Sequence, residues 1–168
     1  METIIETPRL LLREFTPGDA AALYALNEDP EVIRYTGDTP FADEADAAMF
    51  IRNYSDYKKN GYGRWAMIEK ETGAFLGWCG LKFHPDTGET DIGFRLHQRY
   101  WNAGFATEAA QACLDFGFSH LGLPSIIGRA MADNKASIRV LEKIGLHYER
   151  PFDFHGGPGV VYRISVVD

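Results

Sequence analysis

The chain has little cysteine. Cys79 and Cys113 are its two thiols in 168 residues, and neither stands in a CxxC pair. That excludes a disulfide scaffold and leaves two reduced thiols, as expected of a cytoplasmic protein. The histidines and carboxylates show no metal-ligand spacing, so no metal is expected. No apolar run approaches the ~20 residues of a membrane span. Met1-Glu2-Thr3 opens the chain without the apolar stretch of a secretion signal. Positive charge is scarce too: 17 Lys and Arg face 24 Asp and Glu, a net charge of −7. Such a balance lacks the electrostatic footprint of a nucleic-acid binder and is repelled by anionic membranes. Repeats, low-complexity tracts and linkers are missing as well, which leaves one domain over residues 1–168 as the expectation.

What is present is a mixed α/β pattern. Arg9–Phe15 reads as a strand, Pro17–Asn27 as a helix, and Asp43–Lys59 as a long helix stopped at Asn60-Gly61. Alternation of period two then predicts three antiparallel strands, Arg64–Glu69, Phe75–Phe83 and Thr90–Leu96. A helix over Phe105–Ser119 follows, then a buried strand at Ser125–Ala130 and a helix over Asn134–Lys143. Leu146–Phe154 and Val160–Val166 are two closing strands around a Gly156-Gly157-Pro158-Gly159 turn.

Familiar chemistry-bearing motifs are missing: there is no P-loop, no GxSxG elbow and no HExxH. Gly61-Tyr62-Gly63-Arg64-Trp65-Ala66 fits GxGxxA but leaves a helix and enters a strand, the reverse of the dinucleotide context. Cys113 falls on the apolar side of its helix and reads as a core thiol. Two segments remain. Trp101-Asn102-Ala103-Gly104-Phe105-Ala106-Thr107-Glu108 joins a strand to a helix start, where small residues and outward N–H groups suit a phosphate. In Asp133–Leu146, Asn134 is placed to cap a helix whose Ile138, Leu141 and Ile144 face the core, with Ser137 near its start. Read as residues alone, both segments also fit an ordinary loop and an ordinary capped helix.

In this order and spacing, the segments resemble the signature motifs of the GCN5-related N-acetyltransferase (GNAT) superfamily. The branch they resemble includes the ribosomal-protein alanine and serine N-acetyltransferases. Pro8-Arg9-Leu10-Leu11-Leu12-Arg13 and Asp91-Ile92-Gly93-Phe94-Arg95-Leu96 resemble two further motifs of that branch, so the likeness spans the chain. It implies a mixed, splayed sheet of six or seven strands flanked by about four helices. It also implies acetyl-CoA lodged where Thr90–Leu96 and Ser125–Ala130 part. Pantetheine would run along the backbone of Phe94, Arg95 and Leu96. The pyrophosphate would sit on Trp101, Asn102, Ala103, Gly104, Phe105, Ala106 and Thr107. Asn134 would reach the cofactor, and Ser137 would protonate the leaving thiolate. The resembling motifs carry Gly at Asn102 and a cationic or amide side chain at Ala103.

The implied acceptor is a primary amine, either a peptide N-terminus or a small molecule, handled by a monomer or homodimer. Attack requires a neutral amine, and an α-amine near pKa 8 is easier to deprotonate than lysine. Glu89 and Asp91, two residues apart on one strand face, are the candidate bases, and Glu108 in the first helical turn reads as structural.

Overall fold

The computed structural model describes residues 2–166. Its described residues form one eight-stranded sheet in the order β1-β2-β3-β4-β5-β6-β8-β7. β1 (Ile5–Glu6) and β2 (Leu10–Arg13) form the edge beside β3 (Arg64–Glu69), β4 (Phe75–His84) and β5 (Glu89–Leu96). β6 (Ser125–Met131), β7 (His147–Phe154) and β8 (Gly157–Ser165) form the other part. Every neighbouring pair is antiparallel except β5 with β6.

Six α-helical segments and two short 3-10 turns, Pro17–Asp19 and Gln98–Tyr100, accompany the sheet among the described residues. Four of them are nine residues or longer: α1 (Ala20–Glu28), α3 (Glu44–Asn53), α5 (Phe105–Ser119) and α6 (Lys135–Lys143). Two are short: α2 (Pro30–Ile33) and α4 (Asp56–Asn60). Among the described residues no helix is long and apolar enough to cross a membrane.

The sheet separates two apolar clusters. On one face α5 buries Ala109, Ala110 and Cys113 against Trp65, Cys79, Leu81 and Ile92, and Trp65 meets Phe116 edge to face at 5.6 Å. Cys79 and Cys113 are free and buried there, their sulfurs 3.7 Å apart, and burial pushes the Cys113 thiol up. On the other face Leu23, Leu26, Val32 and Ile51 from the first helices pack with Phe15, Phe41 and Trp78. α6 closes over the gap side of β6: Leu141 is buried and fills the space that Gly128 leaves open.

Three sequence expectations change. The sheet gains a strand, because Ile5–Glu6 pairs with Leu11–Leu12 ahead of the expected start at Arg9. The expected helix over 43–59 is broken at Tyr54, which is extended (φ −70°, ψ 111°). The break lets two tyrosines serve one residue of β3: the Arg64 N–H donates to the Tyr54 hydroxyl at 2.7 Å, and the Tyr57 hydroxyl donates to the Arg64 carbonyl. Tertiary hydrogen bonds thus override a periodic helical pattern. The last turn is His155-Gly156, not the four residues from Gly156. Both residues have positive φ (52° and 82°), as a two-residue hairpin turn requires, and Gly157–Gly159 belong to β8.

Gly77 fixes how closely β4 approaches β5. Its φ is +154°, and a Cβ there would lie 1.9 Å from the Arg95 carbonyl oxygen. Gly77→Ala should therefore push β5 away beside Leu96. We expect a loss of about 2–4 kcal/mol, read as a lower urea midpoint.

Candidate active site

β5 and β6 run parallel but share a single register pair, Asp91 opposite Ile127. Beyond that point they part. The face of the gap that carries Asp91, Gly93 and Arg95 opens into a cleft of about 950 Å³, walled by the Tyr35–Phe41 loop, α3 and the β7–β8 hairpin. A second cavity of about 570 Å³ runs past Leu96 to Asn102, Gly104 and the start of α5. The two share Phe94, Arg95, Asn134 and Ser137 in their linings, so these residues stand at the junction of two connected spaces.

The loop before α5 has the conformation that anion binding needs. Asn102 (φ 63°) and Gly104 (φ 82°) are both left-handed, a region Asn tolerates better than most residues. The first helical bond runs from the Glu108 N–H to the Gly104 carbonyl at 3.0 Å. The amides of Phe105, Ala106 and Thr107 precede it, at the positive end of a 15-residue helix. The Trp101 indole donates to the Leu96 carbonyl at 3.0 Å and ties the loop to β5.

Behind the loop, Glu108 is an anchor, in line with the structural reading of that residue. It accepts from the Thr7 hydroxyl at 2.6 Å, the Arg9 amide at 3.0 Å and Arg9 Nε at 2.7 Å. Arg9 also donates to the Ala103 carbonyl at 2.9 Å and lies 4.2 Å from the Phe105 ring centroid. Ala103 brings no charge of its own; Arg9 brings a guanidinium to its carbonyl.

Asn134 caps α6, its side-chain oxygen accepting from the Ser137 N–H at 3.2 Å. Ser137 is half-buried at the junction, one helical turn from the cap. The structure brings Phe94, Arg95, Leu96, Asn134, Ser137 and, of the loop, Trp101, Asn102 and Gly104–Thr107 to the second cavity, while Ala103 lines neither cavity. It turns the Arg95 side chain to the cleft face, where it donates to Asn27 at 2.9 Å and Asp38 at 2.7 Å. Only the Arg95 backbone is left for the gap.

The structure separates the two carboxylates that the sequence pairs. Glu89 lies at the far end of β5, where Arg150 (3.1 Å) and Arg163 hold it. Burial raises its pKa, but the hydrogen bonds from Arg163 and Arg150 outweigh that and keep it below the ordinary value. It lines neither cavity. Asp91 does line the cleft, but both its oxygens are engaged: one by Arg64 at 2.7 Å, the other by His84 at 2.5 Å. Burial alone would raise its pKa; the Arg64 guanidinium and then the His84 hydrogen bond reverse this and bring it to about 2. With Asp91 ionised, His84 Nε2 is the donor of that contact. Arg64 itself lies flat across Gly80 and Gly93, where any Cβ at Gly93 would meet its guanidinium within 2.8 Å.

Sequence reasoning missed His84, Arg64 and Arg129. Arg64 and Arg129 sit on strands the sequence located, His84 lies one residue past the expected end of its strand at Phe83, and the available signal was the pairing of β4 with β5. Lys82 lies opposite Asp91, which places His84 diagonally across from it on the same face.

The profile of the Acetyltransferase (GNAT) domain matches residues 9–147. The chain is similar to the N-acetyltransferase p20 of Bacillus licheniformis, 36% identical over 151 residues, 89% of this chain and 84% of p20. Its fold matches a GNAT-family acetyltransferase from Bacillus anthracis with a TM-score of 0.83 at 29% identity, over 96% of this chain and 97% of that one. At 15% identity it also shares its fold (TM-score 0.80, 98% of each chain) with RimL, a ribosomal L7/L12 α-N-protein acetyltransferase solved with coenzyme A. The chain belongs to the GNAT family of acetyltransferases, and its fold is the mixed GNAT sheet.

The ion cluster gives a pH-dependent prediction. Folding lowers the Asp91 pKa, so the stability it confers is complete above the unfolded value near 3.8 and is lost as pH falls through about 2. Asp91→Asn should cost about 3–5 kcal/mol near neutrality, since it leaves Arg64 unpaired in a buried site. Melting curves of the variant should then flatten between about pH 5 and 2, where the wild type declines.

Proposed function

We propose that the protein transfers an acetyl group from acetyl-CoA to a primary α-amine. One observation carries the cofactor half of this reading. Left-handed Asn102 and Gly104 turn the α5 amides into a cavity that continues, past Asn134 and Ser137, into the β5–β6 gap. These residues fit the group. Amide N–H groups of a helix start donate to a pyrophosphate, and the parted edge of Phe94, Arg95 and Leu96 can pair with an extended amide-bearing arm. Acetyl-CoA would supply the activated thioester and a thiol leaving group.

The chain's residues then divide the work. The strand backbone at Arg95–Leu96 offers N–H donors of the kind that stabilise an oxyanion. The Ser137 hydroxyl would pass its proton to the departing sulfur and regain one from the newly acylated nitrogen, directly or through water, so that the amine's N–H proton ends on the thiol. The amine enters neutral, which an α-amine near pKa 8 does with little help at mildly alkaline pH. Asp91 positions His84 and Arg64 at the floor, and Glu89 acts at a distance, holding Arg150 and Arg163. A primary α-amine suits both a peptide N-terminus and a free small molecule. The reaction suits the reducing, acetyl-CoA-containing cytoplasm.

Two predictions follow from these assignments. Gly104→Glu should weaken acetyl-CoA binding at least about tenfold, or 1.4 kcal/mol, in calorimetry. Gly104→Asn, which tolerates the left-handed angle, should retain it within a few-fold. Unchanged affinity in folded Gly104→Glu would place the cofactor elsewhere. Asn134→Ala should raise the KM for acetyl-CoA and, through loss of the cap, cost about 1 kcal/mol of stability. Ser137→Ala should lower kcat by up to about 10²-fold with that KM little changed. Wild-type kcat under conditions where chemistry limits the rate would remove the proton-donor role.

A further inference from the structure

The floor of the acceptor cleft carries four cationic side chains: Arg64, Lys82, Arg95 and Arg129. Arg64 is matched by Asp91 and Arg95 by Asp38, while Lys82 is exposed. Arg129 has no carboxylate partner among the described residues. Its Nε is buried without a hydrogen-bond partner. Its contacts include no carboxylate: Nη1 lies 3.4 Å from His84 Nδ1, and the guanidinium carbon lies 4.8 Å from the Phe152 ring centroid. A mostly buried guanidinium without a counter-charge is costly unless something supplies one.

The surroundings orient this cation. Asp91 accepts from His84 Nε2 and fixes the ring, so that Nδ1 faces Arg129 Nη1 at 3.4 Å. Phe152 supports the guanidinium. Arg129 stands on β6 two residues beyond Ile127, the level of Gly93 on β5, where the strands part. The same cleft includes Asn134 and Ser137, so the cation shares one space with the residues assigned to the acetyl donor. Arginine in this setting binds a carboxylate in bidentate fashion. At the mouth, Met49 and Phe50 are 51% and 44% exposed and Tyr54 lines the wall, a surface for an apolar group.

We propose that the acceptor is a free amino acid with an apolar side chain, its α-carboxylate held by Arg129 while its α-amine receives the acetyl group. This rests on the N-acetyltransferase reading above and specifies its substrate class. Arg129 is a specificity-determining residue, and the Asp91–His84 pair positions it. A peptide N-terminus has an amide where this site expects a carboxylate.

The test is thiol release from acetyl-CoA with matched acceptors: free leucine, methionine and phenylalanine against their carboxamides. The free acids should be preferred at least tenfold in kcat/KM. Arg129→Gln should erase the preference by raising KM for the acids, with acetyl-CoA affinity unchanged in calorimetry, and Arg129→Lys should restore part of it. Equal turnover of acids and amides, an acid preference that survives in Arg129→Gln, or turnover confined to amines without a carboxylate would overturn the proposal and leave the acetyltransferase reading intact. Wild-type protein that fails to bind acetyl-CoA would instead overturn that reading, and this one with it.

Discussion

The parting of β5 from β6 is the constraint on which the rest of the structure depends. One register pair, Asp91 with Ile127, joins the two parts of the sheet, and the strands then separate. Backbone groups along such an edge must find partners in water or in a ligand, because an unmade buried hydrogen bond is costly. Large polar side chains line one face of the wedge: Arg64 over Gly93, with Asp91, His84 and Arg129 beside it. At its mouth stand the α6 cap and Ser137. Gly77 keeps β4 tight against β5, so the separation falls on the β6 side alone.

The charge of the whole chain is a poor guide to the charge at this floor. A net −7 suggests a field that draws in cations, yet Asp91 and Asp38 in the cleft are already answered by Arg64 and Arg95. Neutralised pairs contribute little field beyond their own neighbourhood. What remains unanswered at the floor is a cation. Local pairing, invisible to a residue count, reverses the expectation.

Much of the fold was legible because its signals are local. The α5 helix runs over Phe105–Ser119 as its pattern predicts, and the three middle strands lie within a residue of their expected ends. Ile138, Leu141 and Ile144 face the core at helical spacing. Asn102 was legible as a glycine substitute, since its side chain tolerates the left-handed angle that it adopts. What escaped depends on contacts distant in sequence. The break at Tyr54 exists because Arg64 draws two tyrosines to one strand end. The His155-Gly156 turn starts one residue before the densest glycine run, because the register of β8 against β6 and β7 claims Gly157–Gly159. Glu89 and Asp91 do share a strand face, but their partners come from different strands, so equal spacing led to unequal environments. His84 and Arg129 each look unremarkable in sequence, and only the sheet order brings them within 3.4 Å.

Amide hydrogen exchange with and without acetyl-CoA tests the central claim, that the β5–β6 gap and the α5 start form one cofactor site. The account predicts new protection in Phe94–Leu96 and Trp101–Thr107, extending to Asn134–Ser137, with the β1–β2 edge unchanged. Saturating acetyl-CoA that leaves these amides as exchangeable as before, or that protects a different surface, would contradict it.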